Sequence, residues 1–184
     1  MANGVLGTMD NSDLLSLIRT VKDFPKPGIN FYDITTLLAN PVGFQKTINR
    51  MAYQHIDSHN KPEIIVGIDA RGFILAGALA NKLGCGVILA RKAGKLPHET
   101  IGETYALEYG EATLELHADS FSKYKKALII DDLIATGGTA AATIKLVEKA
   151  GGVVVGLNFI IELTTLGGRN KINTYNVDSL IKIV

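Results

Sequence analysis

Apolar positions along the chain follow two different rhythms. In the first 56 residues they recur at helical spacing. Leu14, Leu15, Ile18 and Val21 line one face of a predicted helix opened by Asn11 or Ser12, and Phe44, Ile48 and Met51 line a second that opens at Pro41 behind the cap residue Asn40. Pro25 and Pro27 force an extended segment between them, since neither a proline nor the residue before it favours helix. From residue 63 the rhythm changes. Residues 63–68, 86–90, 126–130 and 152–161 are short β-branched runs, apolar on both faces, with predicted helices at 73–83 and 139–149. Such runs alternating with helices predict an α/β fold whose central, mostly parallel sheet is covered on both sides. Residues 103–118 alternate as a hairpin turning near Gly110, and 177–184 read as an added strand. Ligands of open α/β sheets sit at the carboxyl ends of the parallel strands. The candidate segments are therefore 69–72, 91–95, 131–139 and 162–168.

Composition narrows the class without changing this picture. The 184 residues are 47% hydrophobic and 20% charged, with 19 Gly and 5 Pro. That balance excludes disorder, collagen-like repeats and a disulfide scaffold. One domain is expected, burying roughly 70% of the surface its unfolded chain exposes, and no linker or internal repeat divides it. Nineteen Lys and Arg against 18 Asp and Glu give a net charge of +1, which argues against a dedicated nucleic-acid binder. Cys85 is the single cysteine and fits a reducing compartment. Mean hydropathy is +0.20, yet no apolar run reaches the length of about 18 residues that a membrane span needs. The start carries no basic region ahead of an apolar stretch, so no signal peptide is expected, and the cytoplasm is the expected compartment. Met9 is a second candidate start, which makes 1–8 an expected expression remnant or disordered leader and 9–184 the expected domain.

The most informative segment is 127–139. A buried strand delivers adjacent carboxylates, Asp131 and Asp132, and Ala135, Thr136, Gly137, Gly138 and Thr139 form a turn into a helix. Glycines allow close backbone approach, and N–H groups at a helix start point at negative charge. Carboxylates beside an anion cradle repel the anion unless they bind another part of the ligand, such as sugar hydroxyls or a bridging Mg²⁺. A phosphorylated ribose meets both demands. The plainer alternative is a capped helix entered by an acidic turn. Neither a Walker loop nor a dinucleotide fingerprint occurs.

Asp131 through Thr139 resembles the phosphoribosyl-diphosphate (PRPP) signature of the type I phosphoribosyltransferases. Four further segments occur in the order of the adenine-specific branch of that family. They are 23–28 with Phe31, Asp33 and Thr35; 69–73; Arg91 and Lys92 with 94–97; and 105–110. The resemblance covers about residues 12 to 168. It implies a Mg²⁺-dependent transfer of the 5-phosphoribosyl group from PRPP to adenine N9, giving AMP and pyrophosphate in purine salvage. It also implies a homodimer, a hood at about 22–38 and a mobile hairpin flap at about 95–116.

Residue by residue, the resemblance gives Asp131 and Asp132 the ribose hydroxyls and residues 135–139 the 5′-phosphate. Mg²⁺ arrives with PRPP and is reached by Asp131 through a water. Asp69, Ala70 and Arg71 form the pyrophosphate loop, with a cis peptide expected between Asp69 and Ala70. Arg91 reaches the pyrophosphate, in this family often across a dimer interface, while Lys92 and Lys95 add charge; a solvated basic turn is the alternative for these three. In the flap, Glu108 is the candidate acid/base and Tyr109 the shielding aromatic, though Glu108 also reads as a solvent-facing hairpin residue. Asn30, Phe31 and Tyr32 meet the base, and Leu163, beside Glu162, forms a second wall. Tyr32 stands where arginine is common, Asn30 where an apolar residue is common, and Ala93 where proline is frequent. Asp33 and Thr35 are expected to stabilise the hood's turn. His55, His59, His98 and His117 have no metal-ligand spacing. Rival readings are a phosphoribosyltransferase for hypoxanthine, guanine, xanthine or orotate, and a PRPP-sensing regulator, which would need a DNA-binding module and a basic face.

Overall fold

The computed structural model describes residues 11–56, 60–106 and 110–184. The chain divides into two compact units, Met1–Thr47 and Ile48–Val184.

The first unit opens with α1 (Ser12–Leu15), and the predicted first helix ends there rather than reaching Val21. A short strand, β1 (Arg19–Val21), follows and pairs antiparallel with β2 (Phe31–Asp33). The reason is a set of partners that lie beyond any local window. Thr36 Oγ1 donates to the Leu17 carbonyl (2.6 Å), and Arg19 donates to Asp33 Oδ2 (2.6 Å). Leu14 and Ile18 are buried while Leu15 and Val21 are exposed, so the anticipated four-residue stripe does not form.

Asp33 also accepts from the Thr35 N–H (2.9 Å) and from its hydroxyl (2.6 Å), closing the turn into a helix the periodicity missed, α2 (Thr35–Ala39). Those Thr35 bonds, with Arg19 behind them, hold the Asp33 carboxyl down at about 2. α3 (Pro41–Ile56) begins where the sequence placed it, with Asn40 Oδ1 accepting the Gly43 N–H at 2.9 Å.

The second unit is built on a seven-stranded sheet ordered β5-β6-β4-β3-β7-β8-β9. Its parallel part comprises β3 (Ile64–Ile68), β4 (Gly86–Lys92), β7 (Lys126–Ile134), β8 (Val153–Leu163) and β9 (Val177–Ile183). The hairpin β5 (Thr100–Ala106) and β6 (Glu111–His117) pairs antiparallel and joins β4 at Arg91 and Lys92.

Strand alternation sorts the core. Ile64, Val66, Ile68 and Ile129 pack with Ala140, Ile144 and Val147 of α5 (Gly138–Lys149). On the opposite face Gly67 lies against Ala76 of α4 (Arg71–Leu83). There, too, Asn158 Nδ2 reaches His55 Nε2 at 3.1 Å, and burial lowers the pKa of that histidine. The expectation of a sheet covered throughout fails at β4, where Val87 and Leu89 are exposed. Alternation along β4 leaves the face that carries Val87 and Leu89 exposed, while Ile88 and Ala90 pack on the core. No described helix is long and apolar enough to cross a membrane.

A depressed carboxyl pKa contributes stability above its unfolded value and loses it as the pH falls through the folded one. Asp33→Ala is therefore expected to cost about 1 kcal/mol at pH 7, the scale of a lost side-chain cap. In urea unfolding the gap to wild type should narrow as the pH falls from about 4 towards 2.

Candidate active site

Parallel pairing brings the carboxyl ends of β3, β7 and β8 to one edge, with Asp131 opposite Phe159 and Ile134 opposite Glu162. β7 carries Asp131 and Asp132 near its end, and the chain then turns through 135–137 into α5. Gly137, at φ 76°, occupies the helix cap, where it offers no side chain to the first N–H groups of α5. Those groups have no partner within the helix and face a cavity of about 190 Å³. Asp131, Ala135, Thr136, Gly137, Gly138 and Thr139 line it together with the apolar Ile68, Ile134 and Phe159. The cavity thus gathers Asp131 and residues 135–139 of the set predicted to hold a phosphorylated ribose, while Asp132 is not among its lining residues.

The two carboxylates are not equivalent. Asp132 is buried and pairs with Arg71, whose Nε lies 2.5 Å from Oδ2. Asp131 accepts the Asp132 N–H at 2.9 Å. Burial, and then the Asp132 charge, raise its pKa well above the ordinary carboxylate value. Arg71, expected to face a diphosphate, is here also the counter-ion of an expected ribose ligand.

The Asp69–Ala70 peptide is cis, as the resemblance implied. Asp69 Oδ2 lies 3.4 Å from the Lys92 N–H and 3.6 Å from Arg91 Nε, the latter an ion pair rather than a hydrogen bond. Arg91 also donates from Nη1 to the Lys95 carbonyl (3.1 Å) and lies over the Phe73 ring. Lys92 and Lys95 are exposed. The basic residues at the end of β4 thereby lie beside Asp69.

Leu163 ends β8 half-buried, and the neighbouring Glu162 is committed to Arg169, with Nη2 2.5 Å from Oε2. Asn30 is exposed, and Phe31 and Tyr32 are half-buried on β2 of the first unit, where Phe31 packs edge-on against Phe24 at 5.3 Å. Glu108 and Tyr109 lie outside the described residues.

Two contributors escaped the sequence reading. Gly168 opens a short 3₁₀ turn (Gly168–Ile172) directly against the 135–137 turn. A Cβ on Gly168 would lie 2.2 Å from the Ala135 carbonyl oxygen, and one on Gly137 would lie 2.4 Å from that of Gly168. The Gly167-Gly168 doublet just after a strand end was the available signal. The second is Glu103 on β5, which pairs with Lys145 (3.2 Å) and Lys149 of α5. That pairing ties the hairpin to the helix that carries the candidate site.

Comparison with known proteins agrees with this geometry. The phosphoribosyl transferase domain model matches residues 33–183. An adenine phosphoribosyltransferase of Solibacter usitatus is 54% identical over 170 residues, covering 92% of this chain and 97% of that protein. The chain belongs to the adenine phosphoribosyltransferase family. Among family structures, that from Rhodothermus marinus is 46% identical with a TM-score of 0.87, covering 94% of this chain and 97% of the other. That from Saccharomyces cerevisiae, solved with an imino-altritol bisphosphate and adenine, is 37% identical with a TM-score of 0.85, covering 92% and 97%. The fold is accordingly that of the type I phosphoribosyltransferases.

Gly94 and Gly137 share nearly the same positive φ, 75° and 76°, but Gly94 has nothing within 4 Å of a Cβ. Gly94→Ala should cost about 1–2 kcal/mol, the left-handed backbone alone. Gly137→Ala should cost about 1–3 kcal/mol more through collision with Gly168. Urea denaturation of the two variants side by side measures the difference.

Proposed function

We propose that this chain transfers the 5-phosphoribosyl group of PRPP to N9 of adenine, releasing AMP and pyrophosphate. The observation that carries the reading is the cavity at the end of β7, where paired carboxylates stand beside a glycine-threonine turn at a helix start. Relatives named for this activity, and a family structure holding adenine, support it.

The C1–O bond to pyrophosphate breaks, its electron pair leaves with pyrophosphate, and C1–N9 forms as the imidazole ring of adenine gives up a proton. Positive charge grows on the ribose and negative charge on the leaving group, so cations and carboxylates must be placed apart. The first N–H groups of α5, with the Thr136 and Thr139 hydroxyls, hold the 5′-phosphate. Asp131 and Asp132 take the ribose hydroxyls, and the position of Asp132 lets it hand Arg71 over to the diphosphate as the sugar arrives. Asp69 and Ala70 present the loop backbone to that diphosphate, with Arg91, Lys92 and Lys95 supplying further positive charge.

The twin carboxylates are hard oxygen donors suited to Mg²⁺, and Asp131 would hold the ion through a water. When bound, Mg²⁺ offsets charge on the departing pyrophosphate. Phe31 stacks on the base, backbone near Asn30 and Tyr32 reads its edge, and Leu163 adds an apolar wall. Glu108 manages the imidazole proton and Tyr109 shields the site, a role that requires desolvation to lift the carboxyl towards neutrality. The working unit of this reading is a cytoplasmic homodimer of the 9–184 domain.

An assay with PRPP, Mg²⁺ and a panel of bases tests the reading. Adenine should be consumed, with AMP and pyrophosphate formed in equal amounts. Turnover of guanine or orotate alone would contradict it, and PRPP binding without any turnover would favour a sensor. Thr139→Ala should raise KM for PRPP about 10-fold, the scale of one hydrogen bond to a charged group. Glu108→Leu should lower kcat by about 10²-fold or more, the general acid–base range.

A further inference from the structure

We infer that Arg169, fixed by Glu162 and Ser179, is a positioning residue for the phosphate turn; the inference rests on the proposed function and deepens it. Glu162 is the penultimate residue of β8 and is buried. Arg169 spans its carboxylate in a fork, Nε to Oε1 at 2.9 Å and Nη2 to Oε2 at 2.5 Å. Three further hydrogen bonds complete the cluster. Nη1 donates to the Val177 carbonyl at 2.6 Å, Nη2 reaches Ser179 Oγ at 3.1 Å, and the Ser179 hydroxyl donates to Glu162 Oε2 at 2.6 Å. Hydrogen bonds from Arg169 and Ser179 hold the Glu162 carboxyl down at about 2, so the cluster stays charged across the physiological range.

Nothing in the proposed chemistry uses these groups. Their consequence lies one residue away, where the Gly168 peptide is wedged against the Ala135 carbonyl and the Gly137 N–H so closely that neither glycine has room for a Cβ. The phosphate turn thus rests on a backbone shelf, and the guanidinium fork pins the shelf to β8 and β9. A planar fork can fix direction as well as distance, which a point charge cannot. Losing it lets Gly168 shift, and with it the N–H groups that must converge on a phosphate. The expected defect is in holding PRPP rather than in reading the base.

The experiment compares wild type, Arg169→Gln, Arg169→Lys and Ser179→Ala by PRPP titration calorimetry and by KM for each substrate with the other saturating. Arg169→Gln should weaken PRPP binding 10-fold or more and raise its KM in proportion, while KM for adenine changes less than 2-fold. Arg169→Lys, keeping the charge without the fork, should recover less than half of that loss on a logarithmic scale. Ser179→Ala, mild enough to fold if the others do not, should raise the PRPP KM about 3-fold and leave adenine alone. Unchanged PRPP affinity in Ser179→Ala and in every folded Arg169 variant overturns the inference while leaving the proposed function intact. So does an equal rise in both KM values. Failure of wild type to bind PRPP removes the proposed function and this inference together.

Discussion

Parallel pairing of β3, β7 and β8 is the constraint on which the rest of the second unit depends. Strands that run the same way end on the same edge, so three loops far apart in sequence arrive together whatever their side chains. One carries Asp69 and Arg71, one Asp131 to Thr139, and one Glu162 to Gly168. The register also fixes levels along that edge, placing Glu162 beside Ile134 just before the phosphate turn begins. Close packing on both faces holds the buried runs in place, because a shifted backbone would collide with its neighbours. The glycines matter at the edge for the same reason. Where the backbone of one loop is the wall of the next, as at Gly137 and Gly168, no side chain fits.

Electrostatics on that edge is a matter of pairing before any ligand arrives. Asp132 holds Arg71, Asp69 lies beside Arg91, and Glu162 holds Arg169. Asp131 is packed among neighbours beside a like charge and answers by a raised pKa. In the proposed reaction the first two pairs exchange partners with substrate. The third does not, since Arg169 is bonded to both β8 and β9, and it belongs to the scaffold. One edge thereby carries exchangeable and fixed ion pairs side by side.

Much of this was legible in the sequence, for physical reasons that differ by element. The strands were readable because buried parallel strands need continuous apolar β-branched runs, and 63–68, 126–130 and 152–161 are such runs. α3 was readable from Asn40, Pro41 and helical spacing. The first helix was read too long because Thr36, nineteen residues downstream of Leu17, claims that carbonyl and lets a strand begin. β4 was read as buried because its residues are apolar; whether a layer covers them is not a local property. The turn that lines the candidate cavity was legible because turn chemistry is written in consecutive residues. The pairing of Arg71 with Asp132, and the shelf under Gly137, depend on contacts 61 and 31 positions apart, which no spacing rule encodes.

The account stands on a sugar phosphate being held at the end of β7, its phosphate by the 135–139 turn and its hydroxyls by Asp131 and Asp132. A crystal structure of the chain with AMP measures this directly. The account predicts phosphate density against the first N–H groups of α5, with the 2′- and 3′-hydroxyls within hydrogen-bond distance of the two carboxylates and Arg71 displaced from Asp132. Nucleotide bound elsewhere, with the turn vacant and the Arg71–Asp132 pair intact, would contradict it.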